Sequence, residues 1–103
     1  MRFMLKVSIP VEAGNAAAKA GKLGSIIGSI LEELKPEAAY FTEDRGLRTG
    51  WLFVEMDDAA QIPAMAEPWF LSLNASVEIR PAMVPADLER AGPTIEAAAK
   101  KYG

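Results

Sequence analysis

Four charged residues stand where they could act on one small molecule. Lys6, Glu55, Glu78 and Arg80 fall at alternate positions of segments that also carry Met4, Trp51 and Phe53, and Tyr40 or Phe41 can join the same side. Arginine presents a planar fork of donors to a carboxylate or phosphate, and lysine presents a compact positive charge. Lys6 or Arg80 would therefore hold an anionic ligand against Met4, Trp51 and Phe53, with Glu78 in the same wall. A carboxylate desolvated by aromatic rings has a raised pKa, which makes Glu55 the candidate general base for proton abstraction. Tyr40 is the second candidate catalytic group. The competing reading is that these charges pair with one another and serve only to fix register.

The residues that are missing narrow the chemistry further. The 103-residue chain has no histidine and no cysteine. Histidine is the usual base near neutral pH and the commonest transition-metal ligand, so serine–histidine triads are excluded. Zinc, copper and haem sites built from this chain are not expected, and neither a metal nor a cofactor is assigned. Gly14 through Gly21-Lys22 approaches a phosphate-binding loop, but six residues separate the glycines where four are required. Leu23 also stands in place of the required Ser or Thr. Asp57-Asp58 lacks calcium-loop spacing and is explained by helix capping. Arg45 and Arg48 flank a turn and read as solvated.

Composition sets the class. Half of the residues are hydrophobic and 24% are charged with mixed sign, the profile of one small globular domain. A net charge of −3 provides no basic stripe for phosphate backbones, so nucleic acid is not an expected partner. No apolar run is long enough for a membrane span. Met1–Pro10 alternates like a strand instead of forming a charged leader with an apolar block, which makes the cytoplasm the expected location.

The elements that must position the charged set follow from periodicity. Arg2–Ile9 alternates with Phe3, Leu5, Val7 and Ile9 on one face, and Pro10 ends the strand. Gly14-Asn15 offers a helix N-cap, after which Leu23, Ile26, Ile27, Ile30, Leu31 and Leu34 recur at helical spacing up to Pro36. Gly21, Gly24 and Gly28 lie beside that stripe, where they imply either close backbone packing or a place where a ligand approaches. Glu37–Glu43 predicts a second strand, and Asp44-Arg45-Gly46 predicts a turn. Arg48 to Asp58 is apolar on both faces, with Leu52, Val54 and Met56 opposite Trp51 and Phe53, as in a central strand covered on both sides. Asp57-Asp58 and Gln61 predict a capping box before a helix bearing Ile62, Met65, Ala66, Trp69, Phe70 and Leu73. Those apolar side chains read as core, and Pro63 and Pro68 should kink the helix. Asn74 stops it, and Ala75–Pro81 reads as the fourth strand. Pro85–Gly103 predicts a helical arm in two pieces, split at Gly92-Pro93.

The order βαββαβ predicts an α+β, ferredoxin-like antiparallel sheet with helices on one face. Residues 1–84 would form this α/β-barrel domain, and residues 85–103 a C-terminal helical arm of the same domain. The helix-free face would carry Trp51, Phe53 and Met4, a large apolar patch for so small a domain. Burying each such side chain is worth roughly 1.5–3 kcal/mol. Two copies that stack these faces into a closed barrel would achieve that burial, with each arm reaching over the partner. The alternative is an arm that folds back over its own sheet.

This pattern resembles the dimeric α/β-barrel superfamily, and within it a small bacterial family of uncharacterised proteins. The resemblance rests on the βαββαβ rhythm, on Asp57-Asp58 opening the second helix, and on Val77-Glu78-Ile79-Arg80-Pro81-Ala82-Met83-Val84-Pro85-Ala86-Asp87-Leu88. It implies the barrel fold and a homodimer. The superfamily spans stress-responsive barrels, muconolactone isomerases, cofactor-free monooxygenases and haem-degrading enzymes; several of the haem- and oxygen-using members rely on histidine, which this chain lacks.

Three functions remain in view. The first is a dimer whose interior binds a small, partly apolar, anionic molecule through Lys6, Arg80, Trp51, Phe53, Glu78 and Met4. The second is a cofactor-independent isomerase, cyclase or monooxygenase that uses Glu55 or Tyr40 with Arg80. The third is a structural or interaction module whose interior is filled by side chains.

Overall fold

The computed structural model describes residues 1–103. Strand β1 (Arg2–Ile9) has the bounds that its alternation implies, and Pro10, lacking a backbone N–H, closes it. Two helices follow, α1 (Val11–Lys19) and α2 (Leu23–Leu34). Strands β2 (Ala38–Asp44) and β3 (Leu47–Glu55) form a hairpin through Arg45 and Gly46, both at positive φ. A 3-10 turn at Ala59–Gln61 leads into α3 (Ile62–Leu73), then come β4 (Ser76–Pro81) and α4 (Pro85–Tyr102). The four strands form one antiparallel sheet in the order β2-β3-β1-β4, with β1 and β3 central.

One face of this sheet is the core. Leu5, Val7 and Ile9 of β1 and Leu52 and Val54 of β3 are buried against Ile30 of α2 and Trp69 and Leu73 of α3. Leu23, Ile26, Ile27, Leu31 and Leu34 pack around them half-buried, so the α2 stripe faces the sheet. Asp58 accepts from the Ala60 N–H, while the Gln61 side chain accepts from the Asp57 and Asp58 N–H groups. This is the expected capping box, and it stands on the 3-10 turn instead of on α3 itself. Asn74 ends α3 in the left-handed conformation. Phe70, expected in the core, is 39% exposed because it lies at the edge of the apolar stripe, while Trp69 is fully enclosed.

Four local expectations need correction. The first helix begins at Val11, so Gly14 and Asn15 lie inside it; the chain breaks later, at Gly21, whose φ of 70° suits a residue without Cβ. Gly21, Gly24 and Gly28 do not pack closely against a neighbouring backbone: a Cβ at each would meet nothing within 4 Å. Pro63 sits in the first turn of α3, where the missing donor costs nothing, and the helix runs on through Pro68. The arm is one helix from Pro85 to Tyr102 that includes Pro93. Gly92 has no Cβ to crowd the proline ring, and the exposed helix leaves the freed carbonyl to water.

The arm does not fold back over its own sheet. None of its residues is buried, and Leu88, Ile95 and Tyr102 are exposed. The chain measures 58 × 28 × 20 Å with a radius of gyration of 17.2 Å, against about 13 Å for a compact domain of this length. An 18-residue helix is about 27 Å long, which accounts for the elongation.

Candidate functional site

The antiparallel register decides which side chains meet on the helix-free face, because directly paired residues point to the same side. Lys6 pairs with Trp51 on one flank and Glu78 on the other. Two residues along, Met4 pairs with Phe53 and Arg80. The six ligand-binding candidates thus form one contiguous block, two rows deep across β3, β1 and β4. Tyr40 extends the first row beyond Trp51 on β2. Phe41 points the other way, with its ring over Gly50 on the helix side.

The block is apolar on its β3 side and charged on its β4 side, with Lys6 beside Met4 on β1 between them. Met4, Lys6, Trp51 and Phe53 are half-buried, whereas Glu78 and Arg80 are about half exposed. The Lys6 ammonium lies 5.5 Å from the centre of the Trp51 ring, within cation–π range. It also forms an ion pair with Asp44 and lies 3.9 Å from Glu78. Arg80 Nη2 donates to Glu78 Oε1 at 2.8 Å. The hydrogen bond from Lys6, aided by its charge, holds the Asp44 carboxyl below its ordinary value. A trough of about 460 Å³ opens beside these groups, lined by Lys6, Ser8, Arg45, Ser76 and Arg80 among others.

The catalytic candidates are spread more widely. Tyr40 is on β2 and Arg80 on β4, the two sheet edges, so about 14 Å of sheet separates them within one chain. Glu55 lies at the far end of β3, 61% exposed, with its Oε2 2.8 Å from the N-terminal ammonium. No hydrogen bond or ion pair joins Glu55 or Tyr40 to Arg80 within the chain. Arg2, paired with Glu55 across the strands, donates instead to Glu37 and holds that carboxyl below its ordinary value. No group of histidine, cysteine, aspartate and glutamate side chains is arranged to hold a metal. No helix is long and apolar enough to cross a membrane.

Periodicity did not reveal a second polar feature on the other side of the sheet. Arg48 is half-buried there instead of solvated, and its Nη2 donates to Asn15 Oδ1 of α1 at 3.0 Å. The only signal was the pairing position: Arg48 lies opposite Ile9, whose side is the helix side.

No curated protein matches the chain. A family model matches residues 1–96, nearly the whole sequence, and it covers all four strands, α1 to α3 and most of α4. The chain belongs to the family described as Domain of unknown function (DUF3303).

Proposed function

We propose that two copies of this chain stack their helix-free faces as ferredoxin-like halves of a dimeric α/β barrel, and that the interior binds a small, partly apolar, anionic molecule. The observation that carries this reading is the block of Met4, Lys6, Trp51, Phe53, Glu78 and Arg80, left uncovered by every helix. A concave apolar surface with a few convergent polar groups is the usual form of a small-molecule site. The projecting α4 adds to it, since its exposed Leu88, Ile95 and Tyr102 would find cover on a partner. Sedimentation velocity of the full chain at micromolar concentration tests the assembly. The expected particle has twice the 11.1 kDa chain mass; a stable monomer would overturn the reading.

The ion pairs of Lys6 with Asp44 and of Arg80 with Glu78 favour a second reading, in which the interior charges satisfy one another and fix strand register. A crystal structure of the dimer separates the two. A void between the stacked faces supports the binding reading, and a side-chain-filled interior supports the structural one.

A further inference from the structure

The side of the sheet that carries the helices holds an open cavity of about 420 Å³ between the start of α2 and the hairpin of β2 and β3. Its walls are largely apolar, with Ile9, Ile27 and Phe41 prominent, and Arg48 is the charged residue among them. The volume lies within the usual range for small-molecule pockets. Two features show that this arginine is built in. Its guanidinium is held by Asn15 Oδ1, and it occupies the place of a side chain on Gly14, where a Cβ would lie 2.5 Å from Nη1.

The charge is not neutralised by the protein. Arg48 takes part in none of the chain's ion pairs. The acidic residue paired with it across the strands, Glu43, turns its carboxylate to the Gly46 N–H of the hairpin turn. Asn15 takes one guanidinium donor, and Arg48 makes no other side-chain hydrogen bond within the chain. Gly24 completes the cavity: a Cβ on it would meet nothing within 4 Å, so its place in the wall is open space.

We infer that this cavity is a second binding site, for a small organic carboxylate with an apolar body. The carboxylate docks on the guanidinium fork of Arg48, and the body lies between Phe41, Ile9 and Ile27. The site needs no second copy of the chain, since it is on the opposite side of the sheet from the proposed dimer face. Its test is therefore independent of that reading.

The experiment is a titration of the ¹⁵N-labelled full chain with phenylacetate, followed by amide NMR shifts at constant ionic strength. Saturating shifts are expected at Gly24, Thr42 and Arg48, with those of Trp51 and Phe53 unmoved. Phenylethanol, which has the same ring and no charge, is expected to bind at least about tenfold more weakly, the loss that follows from removing a charge-assisted hydrogen bond. Arg48→Gln should weaken phenylacetate by a similar factor. Gly24→Leu should abolish the shifts while the remaining spectrum is preserved, because the added side chain fills open space and improves helix propensity. Equal binding of phenylethanol, undiminished binding by either variant, shifts confined to the opposite face, or no saturation would each overturn the inference.

Discussion

The guanidinium of Arg48 occupies the space that a side chain on Gly14 would need, with 2.5 Å between Nη1 and the ideal Cβ position. The obstructing atom is the end of a flexible side chain, so Gly14→Ala should displace Arg48 from Asn15 without moving the backbone. Alanine within a helix gains roughly 0.5–1 kcal/mol over glycine, which offsets the lost hydrogen bond of about 0.5–1.5 kcal/mol. The melting temperature should therefore change by only a few degrees, while phenylacetate affinity falls. Thermal melts and the NMR titration of this variant check both halves. Unaltered affinity would mean that the placement of Arg48 does not matter.

The uncovered face makes a different prediction. Trp51 and Phe53 lie outside the buried core, so replacing either by serine should leave the fold of the single chain in place. In a symmetric pair each substitution counts twice. Removing a half-buried aromatic from both copies should weaken association by roughly 2–4 kcal/mol, between one and three orders of magnitude in Kd. Sedimentation equilibrium of Trp51→Ser reads this directly; an unchanged association constant would place the interface elsewhere.

Strands were legible wherever a local pattern decides them. The alternation in β1 set its bounds, and the doubly apolar β3 was recognisable as a central strand because both of its faces carry large side chains. Helix punctuation was less legible. Gly14 and Asn15 carry the local signature of a cap, yet Pro10 starts the helix earlier, and Asn15 serves Arg48, 33 residues away. Contacts of that range leave no mark on neighbouring residues. The block around Lys6 was readable because strand period two and antiparallel pairing are enough to build it. The cavity at Arg48 was not, since it depends on how α2 sits over the β2–β3 hairpin.

Trp69 is fully enclosed, and its indole N–H has no hydrogen-bond partner in the protein. Trp69→Ala should destabilise by about 3–5 kcal/mol through the cavity it leaves. That is a large share of the roughly 5–15 kcal/mol typical of such domains. Trp69→Phe removes the same buried donor but keeps a ring in the site, so it loses less volume and should cost less than half as much. Urea denaturation of both variants measures the difference. Equal losses would show that the volume left behind does not set the cost.

Acid should loosen the fold through three partly exposed carboxylates. Hydrogen bonds from Lys6 lower the pKa of Asp44 from its ordinary 3.8, and those from Arg2 lower that of Glu37 from 4.5. The Val84 N–H and then Arg90 lower that of Asp87. A folded-state pKa below the unfolded one adds stability that is complete above the unfolded value and vanishes as pH falls through the folded value. Stability contributed by these groups should therefore be flat above about pH 5 and decline below the ordinary carboxyl range. Denaturation of Asp44→Asn across pH should show a shallower decline than the parent chain. An identical slope would remove the Lys6–Asp44 pair from the acid response.

The last prediction concerns α4, none of whose residues is buried within its own chain. An isolated helix of this length is marginal in water, and Gly92 and Pro93 weaken this one further. Asp87 accepts from the Val84 N–H at its start, and Lys100 and Lys101 suit its C-terminal dipole, but such end effects are worth only fractions of a kcal/mol to about 1 kcal/mol each. The helix therefore needs a surface to lie on, and a partner's exposed flank would supply one. Amide hydrogen exchange in α4 should then depend on concentration: slow when the chain is paired and fast on dilution or in Trp51→Ser. The amides of β1 and β3, protected by the core of the single chain, should not respond. Fast exchange throughout α4 at every concentration would leave the arm without a role in assembly.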